Sequence, residues 1–379
     1  MVHAIAVIGA GAVGLHSAIE LLKSGWDVTV IEEHGEVGKP VQCAGLISKS
    51  GAEMLHLPSE ECIVNEVRGA KLFAPNGEIL RIEKNKSVAC VLDRAKLDKT
   101  LYAEARKHNA KIMLNTSLID IRNEMLFIKH ESRGEMLKAK IVIGADGANS
   151  NVRKILGINV ASENLLHAYQ VTAKGSFEKD FVQLHFGNFA PGFFAWVVPE
   201  SAETARIGIA CSGNKNPNEA LQEFMGKANL QISDVHSRLA GLIPVGPPLK
   251  ENLKGNVLLA GDCALQTKAT TGGGIITGCI ASLALNKTVS EHLKNNAPLA
   301  NYSGNLSALN KELAMHWKLR NYFNSLNEND INALFAKLKK ARAEEFLSLH
   351  GDMDMPSKFL PKLLRTPSLW GLALKLAIK

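Results

Sequence analysis

The N-terminal segment carries the clearest pattern of apolar and polar positions in the chain. Ala4 to Ile8 is a continuous apolar run of the length expected for a strand buried on both faces. A glycine-rich turn follows, apolar residues then recur at helical spacing as far as Gly25, and Asp27 to Ile31 is a second strand-like run. This order predicts the first strand, helix and strand of a doubly wound α/β fold with a parallel sheet.

The turn places Gly9, Gly11 and Gly14 in the spacing G-x-G-x-x-G, and Glu32 and Glu33 follow the second strand. The first glycine permits a tight turn, the second lets the backbone approach a pyrophosphate, and the third allows close helix–strand packing. An acid about 20 residues further on can accept hydrogen bonds from an adenosine ribose. Other α/β proteins also contain glycine-rich turns, but here every element falls in register, so we predict a dinucleotide site. The pattern does not decide between FAD and NAD.

Two further buried runs end in small and acidic residues. Ile141 to Gly144 leads into Ala145-Asp146-Gly147, and Asn256 to Ala260 leads into Gly261-Asp262. Ligands of open parallel sheets lie outside the carboxyl ends of the strands. We therefore predict that Asp146, Gly261 and Asp262 contact the cofactor.

Another strand is predicted at Val88 to Leu92, followed by a helix that Asp93 can cap. Arg94 falls in the first turn of this helix, with Asp98 four residues later. The spacing is equally compatible with an ion pair on the helix surface, so the role of Arg94 stays open at this point.

Three consecutive glycines, Gly272 to Gly274, precede Ile275, where a helical pattern begins that runs to His292. Each glycine costs about 1 kcal/mol relative to alanine within a helix, so helix propensity does not explain them. We predict that they bring backbone N–H groups against a ligand at the positive end of the helix dipole. A flexible linker is the alternative.

A second, antiparallel domain is indicated by alternating strands. Val67 to Ile82 alternates about Pro75-Asn76-Gly77, which predicts a hairpin. Four more strands are predicted at residues 168–173, 181–186, 193–198 and 206–211, with short helices at Leu221–Ala228 and Ser233–Leu239. The predicted domains are residues 1–66, 88–159 and 249–298 for the dinucleotide, 67–87 and 160–248 for the substrate, and 299–379 for a C-terminal helical region.

Composition limits the classes of protein that fit. The 379 residues are 46% hydrophobic, enough for large cores, and the six cysteines include no C-x-x-C pair and no zinc spacing. The chain enters its first strand at once and has no run of about 18 apolar residues, so we expect a cytoplasmic protein with reduced thiols and no metal.

The excess of positive charge is concentrated in the C-terminal region. From Lys311 onward there are 12 Lys and Arg against 7 Asp and Glu, which is +5 of the total +7. Phe359 to Ile378 mixes leucines and Trp370 with basic residues, as interfacial helices do. We predict peripheral contact with an anionic membrane rather than with nucleic acid, and packing against the rest of the protein is the alternative.

The order of these motifs resembles the FAD-dependent oxidoreductases with the para-hydroxybenzoate hydroxylase fold, over Ala4 to about His292. The resemblance implies an FAD-binding domain of Rossmann type with an inserted antiparallel β-sheet substrate domain. It also implies that Glu32 binds the adenosine ribose, that Arg94 lies near the pyrophosphate and ribityl chain, and that Asp262 binds the ribityl chain. Gly272 to Gly274 and Ile275 would then face the flavin pyrimidine.

Within that group, the segments Lys39 to Gly45 and Thr270 to Ile275 resemble the geranylgeranyl reductase family, especially its archaeal members that saturate the isoprenoid chains of ether lipids. The resemblance implies that Cys43, Ala44 and Gly45 lie near the flavin, with Cys43 as proton donor or redox-sensitive gate. Saturating a C=C bond needs hydride from reduced flavin N5, a proton, and a dry site. Four apolar residues of one strand are the candidate substrate wall: Phe193, Phe194, Trp196 and Val198.

Two departures from the family pattern concern the substrate side. The family motif Tyr-x-Trp-x-Phe-Pro reads Phe194-Ala195-Trp196-Val197-Val198-Pro199 here, and Ala269 stands where the wider flavin group often has proline. The apolar character of the strand is kept.

Two other functions remain compatible with the sequence. One is an FAD-dependent monooxygenase or halogenase of the same fold, although Phe194 replaces the first Trp of the halogenase motif Trp-x-Trp-x-Ile-Pro. The other is a non-catalytic flavin electron carrier at the membrane. The electron donor is also open, since no second G-x-G-x-x-G unit appears for NAD(P)H and ferredoxin is an alternative.

Overall fold

The protein divides into two compact units, and its structure, a computed structural model, describes residues 2–58 and 60–363. The first unit contains residues 1–41, 94–161 and 244–313, and the second contains residues 42–93, 162–243 and 314–379. Within the described ranges, no helix is both long enough and apolar enough to cross a bilayer.

The described residues form eighteen strands, which are β1 (Val2–Ile8), β2 (Val28–Ile31), β3 (Leu46–Ser48), β4 (Ile63–Val67), β5 (Gly69–Phe73), β6 (Ile79–Glu83), β7 (Ala89–Leu92), β8 (Lys111–Met113), β9 (Thr116–Arg122), β10 (Met125–His130), β11 (Arg133–Gly144), β12 (Leu165–Gly175), β13 (Phe181–His185), β14 (Ala195–Pro199), β15 (Thr204–Cys211), β16 (Ile232–Pro244), β17 (Leu253–Lys254) and β18 (Val257–Leu259).

The same residues form eleven α-helices, which are α1 (Ala12–Lys23), α2 (Lys49–Met54), α3 (Arg94–Lys107), α4 (Asn151–Ile155), α5 (Pro217–Lys227), α6 (Ile275–Asn295), α7 (Asn301–Asn305), α8 (Ser307–Asn324), α9 (Glu328–Lys340), α10 (Ala343–His350) and α11 (Leu360–Leu363). Short 3-10 helices cover Glu60–Cys62, Ser162–Asn164, Gly261–Ala264 and Pro356–Lys358.

The first unit is built on an eight-stranded sheet whose main path is β17-β18-β11-β1-β2-β8. Strands β18, β11, β1, β2 and β8 are parallel to one another, β17 pairs antiparallel with β18, and β9 and β10 add an antiparallel meander to β11. The apolar runs found in the sequence are the central strands, because a sheet covered on both faces requires apolar residues at successive positions. The predicted fold class is confirmed.

The register brings four strand ends to one edge of this sheet. Ile8 pairs with Ile31 and with Gly144, and Gly144 pairs with Leu259. The residues that follow, among them Gly9 and Glu32, therefore lie side by side at the carboxyl edge. This is the edge at which doubly wound folds bind ligands.

The second unit contains a seven-stranded sheet in the order β16-β12-β15-β14-β13-β5-β6 and a three-stranded antiparallel sheet in the order β3-β7-β4. The predicted hairpin is present as β5 and β6, and Gly77 adopts a φ of +85° in its turn. One face of the large sheet packs on α5 through a core that includes Ile207, Ile209 and Phe224. Helix α9 packs on the hairpin, with Phe335 and Ile331 against Leu80.

Three sequence-based predictions differ from the structure. Ser233–Leu239, predicted as a helix, lies inside strand β16, because backbone pairing with β12 outweighs the weak helical pattern of this stretch. The predicted strand at Val88–Leu92 exists, but as β7 it forms a small antiparallel sheet in the second unit. The glycines at positions 35, 38, 45 and 51, together with Pro40, predict a loop after Glu33, but this segment also contains β3 and α2.

The compact units have bounds that differ from the predicted domains. Residues 42–66 and 88–93 group with the second unit, and so does the tail from Ala314. The tail is helical as far as Leu363. Residues 364–379, most of the predicted interfacial helix, lie outside the described residues.

Candidate functional site

The glycine-rich turn of the first unit is packed too tightly for side chains at two of its three glycines. A Cβ on Gly14 would lie 2.0 Å from the carbonyl oxygen of Gly9, and a Cβ on Gly9 would lie 2.4 Å from that of Ala145. Gly9 also has a φ of +102°, which favours glycine. These two positions therefore let α1 and β11 approach the turn after β1.

Gly11 differs from its neighbours, because a Cβ there would meet no protein atom within 4 Å. Its backbone is extended, with a φ of −77°, and it forms the N-cap of α1 without a capping side chain. Neither sterics nor conformation requires glycine at this exposed position. A ligand that approaches the helix N-terminus explains it, which fits the pyrophosphate of a dinucleotide.

Glu32 lies directly beside this turn. Its Oε2 accepts a hydrogen bond from the backbone N–H of Ala10 at 2.7 Å, and its Oε1 accepts one from the N–H of His34 at 2.9 Å. The Nδ1 of His34 lies 2.6 Å from the same Oε1. The carboxylate is thus held at the sheet edge, where carboxylate oxygens have further lone pairs for ribose hydroxyls. Glu33 is exposed, and its contact with the cofactor stays a prediction.

The structure brings Asp262 and the glycine triplet together. A Cβ on Gly274 would lie 2.4 Å from Oδ1 of Asp262, so the carboxylate lies against the start of α6. Burial raises the pKa of Asp262 to about 6, and the positive charge of Arg94 opposes that rise. These two motifs, predicted separately from the sequence, therefore lie side by side in the first unit.

The triplet is a closely wound loop and not a flexible linker. Gly272 has a φ of +72°, and its N–H donates to the carbonyl of Lys268 at 2.7 Å. The N–H of Lys268 donates in turn to the carbonyl of Gly273 at 3.0 Å. The N–H of Gly272 is thus used inside the loop, and a contact of this residue with the cofactor stays a prediction.

Arg94 forms the i,i+4 pair with Asp98, but the pair is buried and not on the helix surface. Its Nη2 donates to both carboxylate oxygens at 2.9 Å, and each side chain is only about one-tenth exposed. Burial raises the pKa of Asp98, while Arg94 lowers it. Asp98 therefore orients the arginine, a role that the sequence spacing alone did not distinguish from surface pairing.

Asp146 has structural partners of its own. It accepts a hydrogen bond from the hydroxyl of Ser150 at 2.6 Å and one from the N–H of Val152 at 3.0 Å. These bonds order the start of α4, from which buried Arg153 donates to the carbonyl of Cys263 at 3.1 Å. A contact of Asp146 with the cofactor stays a prediction.

The remaining predicted residues lie in the second unit. Cys43 is half-buried, and its Sγ accepts a hydrogen bond from the N–H of Gly45 at 3.3 Å. Gly45 has a φ of +72°, and its carbonyl accepts from the N–H of Leu92 at 2.9 Å. The other five cysteines are buried. The chain therefore has one accessible thiol, on an ordered loop.

The predicted substrate wall is buried, and two residues that the sequence analysis missed help to form it. Phe193 and Phe194 stack at 4.0 Å between ring centroids, and Trp196 donates from its Nε1 to Oε1 of Gln170 at 2.9 Å. A Cβ on Gly208 would lie 2.4 Å from the indole of Trp196. A glycine inside an apolar strand is the sequence signal for such a close approach. Val198 is 3% exposed.

The first unit thus combines a parallel sheet with an exposed glycine at the N-terminus of a helix. It also has an acid at the position expected to bind a ribose, and a second helix that begins directly after glycines. These features define a dinucleotide-binding protein of the α/β class. Residues 2–226 match the FAD binding domain family, and the chain belongs to that family. Its cofactor is FAD, and it is an FAD-dependent oxidoreductase.

Similarity to individual proteins extends over nearly the whole chain. It is 27% identical over 382 residues to a digeranylgeranylglycerophospholipid reductase of Methanothrix thermoacetophila, covering 95% of this chain and 97% of that protein. It is 28% identical over 353 residues to the enzyme of the same name from Methanocaldococcus jannaschii, covering 88% and 90%.

Two solved structures share the fold. A geranylgeranyl bacteriochlorophyll reductase-like protein of Thermoplasma acidophilum superposes with a TM-score of 0.86 at 21% identity, covering 99% of both chains. A p-nitrophenol 4-monooxygenase of Pseudomonas putida gives a TM-score of 0.67 at 17% identity, covering 99% of this chain and 98% of that one. These structural similarities support the fold and do not distinguish a reductase from a monooxygenase.

The different environments of Gly11 and Gly14 yield a test of the FAD site. We expect Gly11→Ala to fold normally but to bind FAD at least about tenfold more weakly, because only the ligand would meet the new methyl group. Gly14→Ala should destabilise the protein by roughly 1–3 kcal/mol through overpacking against Gly9. Thermal unfolding of the FAD-free variants and titration with FAD separate the two effects.

Gly304→Ala in α7 is the matched control, since a Cβ there meets no atom within 4 Å and the residue belongs to none of the predicted cofactor motifs. It should change FAD affinity by less than about twofold. Wild-type FAD affinity in Gly11→Ala would show that the pyrophosphate does not approach this residue.

Proposed function

We propose that the protein saturates C=C bonds of geranylgeranyl chains in isoprenoid ether lipids, with digeranylgeranylglycerophospholipid or a related prenyl lipid as substrate. The observation that carries the proposal is the similarity over 95% of the chain to a digeranylgeranylglycerophospholipid reductase. The second unit agrees with it, because a prenyl chain is apolar throughout its reacting part and needs an apolar wall.

Bound and reduced FAD supplies the hydride for such a reduction. The protein contributes a position for the cofactor through Gly11, Glu32 and Asp262, and an environment that excludes water through the buried side chains of Phe194 and Trp196. The hydrogen bond from Trp196 to Gln170 fixes the indole without leaving a buried donor unpaired, so the wall stays rigid. An apolar wall favours an apolar chain over a polar substrate, because a polar group buried without a hydrogen bond costs free energy.

We propose Cys43 as the donor of the proton that the second carbon requires. Its Sγ is the accessible thiol of the chain, whereas Cys211 and Cys263 are fully buried. Burial raises the pKa of Cys211 to about 11, which keeps that thiol protonated and inert at neutral pH. The ordered loop around Cys43 gives the thiol a defined position, as proton transfer demands.

The function is tested by anaerobic turnover with dithionite, which replaces the physiological electron donor. FAD-loaded protein should convert digeranylgeranylglycerophospholipid to products that gain two hydrogen atoms per reduced double bond, measured by mass spectrometry. Unchanged lipid under these conditions, or product formation only with oxygen consumption, would contradict the proposal and favour an electron carrier or a monooxygenase respectively.

The role of Cys43 has its own prediction. Cys43→Ser should slow double-bond reduction by about 100-fold, the scale of general acid catalysis, because a hydroxyl gives up its proton far less readily. Cys211→Ser is the control, since a hydroxyl can keep the donor contact to the carbonyl of Phe189, and it should retain nearly full activity. Wild-type rates in Cys43→Ser would remove the role.

We further propose that the C-terminal region brings the protein to the membrane that holds its substrate. Lys337, Lys339 and Lys340 are exposed at the end of α9, where basic side chains also suit the helix dipole. Each basic residue near an anionic surface contributes about 1 kcal/mol to binding. The amphipathic stretch beyond Leu363 would add apolar insertion.

Removing residues 364–379 tests this proposal without disturbing Leu363, which packs with Ala343. The truncated protein should bind vesicles with anionic lipid at least about tenfold more weakly in sedimentation assays, while keeping its FAD. Vesicles of phosphatidylcholine alone are the control for the charge contribution. Equal binding of both proteins to anionic vesicles would exclude the tail as an anchor.

A further inference from the structure

We propose that Arg206 is a positioning residue that fixes the cysteine loop, defined as residues 43–45, in the second unit. A catalytic role for this loop rests on the proposed function, whereas the alkylation of Cys43 tests the positioning of the loop independently of that function. No motif in the sequence marked Arg206, which stands in the middle of an otherwise apolar strand, β15.

The side chain of Arg206 connects three separate segments. Its Nη1 donates to the carbonyl of Ala44 at 2.7 Å and to the carbonyl of Leu92 at 2.9 Å. Its Nε donates to Oε1 of Glu200 at 2.6 Å, and its Nη2 lies 2.6 Å from the same oxygen. The cysteine loop is therefore joined to β15 through Ala44.

A second bond closes this arrangement. The N–H of Leu92, at the end of β7, donates to the carbonyl of Gly45 at 2.9 Å. Leu92 thus bonds the loop with its N–H and bonds Arg206 with its carbonyl. The backbone on the C-terminal side of Cys43 is consequently held at two successive residues.

Stability alone does not explain a guanidinium at this position. Arg206 is only 8% exposed, and a buried cation costs several kcal/mol of desolvation unless every donor is paired. An apolar residue of similar volume would pack well at this position, because residue 206 of β15 lies opposite Val198 of β14. What only the planar guanidinium supplies is simultaneous bonding to two carbonyl oxygens and a carboxylate.

Strand β15, which contains Arg206, also contacts the predicted substrate wall. Arg206 and Gly208 are two residues apart in β15 and therefore project from the same face of the sheet. Gly208 is the position at which the indole of Trp196 rests. One strand thus sets the place of both the cysteine loop and the indole, which is the arrangement needed if a proton donor and a substrate wall must keep a fixed relation.

The reactivity of Cys43 tests the proposal directly, since the other five thiols are buried and react slowly in the native protein. We would measure the rate of alkylation of Cys43 by iodoacetamide, an uncharged reagent whose approach does not depend on the charge of residue 206. Arg206→Gln should raise this rate at least about tenfold, because the released loop exposes Sγ more often. Arg206→Lys keeps the positive charge but cannot bond two carbonyl oxygens and a carboxylate at once, so it should restore only part of the protection.

Two matched variants separate loop positioning from general destabilisation. Arg68→Gln removes a half-buried arginine of the same unit, paired with Glu83 and Asp180, and should leave the alkylation rate unchanged. Glu200→Gln keeps an acceptor beside Arg206 and should cost less protection than Arg206→Gln. An alkylation rate in Arg206→Gln equal to that of the wild type would overturn the proposal, and so would equal acceleration in Arg68→Gln.

The catalytic consequence is read from a double-mutant cycle in the turnover assay. Arg206→Gln should lower kcat in the wild-type background and have no further effect in the Cys43→Ser background, because it acts through the thiol. An equal loss in both backgrounds would show that Arg206 does not act through Cys43. If the lipid is not reduced at all, the alkylation rates still decide whether Arg206 holds the loop.

Discussion

The structure depends on the approach of backbone to backbone at the turn after the first strand. With 2.0 Å between a Cβ on Gly14 and the carbonyl oxygen of Gly9, any side chain there would push α1 away from the sheet. The close fit fixes the N-terminus of that helix at the carboxyl edge of the sheet, next to Glu32 and to the strand end at Ala145. Because parallel pairing aligns the four strand ends, this helix N-terminus, Glu32 and the residues that follow β11 and β18 lie at the same edge of the sheet.

Other glycines also let a neighbouring group approach the backbone closely, and the kind of group differs between the two units. In the first unit, Gly274 admits the carboxylate of Asp262 and Gly278 admits Val13, so backbone and acids form a polar site for FAD. In the second unit, Gly208 admits the indole of Trp196, so the surface that results is apolar and rigid. Reduction of an isolated double bond requires two environments, which are a polar binding site for the cofactor and an apolar wall for the hydrocarbon chain.

Local pattern was enough to predict the strands of the first unit, the hairpin about Gly77 and the two glycine motifs, since each depends on neighbours in sequence. Asp98 was ambiguous, because i,i+4 spacing is the same for buried and exposed pairs. Arg206 was missed entirely: two of its partners are backbone carbonyls 162 and 114 residues away, which leave no trace in side-chain composition. Strand β16 was mistaken for a helix, because an edge strand takes its conformation from pairing with β12 and its own apolar pattern is weak.

The other assignments depend on a single FAD bound at the carboxyl edge of the first unit. Calorimetric titration of the purified protein, stripped of any bound flavin, with FAD and with FMN tests this binding. We expect uptake of one FAD per chain, the yellow absorption of a protein-bound flavin, and much weaker uptake of FMN, which lacks the adenosine that Glu32 would bind. A protein that stays colourless, or that binds FMN as tightly as FAD, would contradict it.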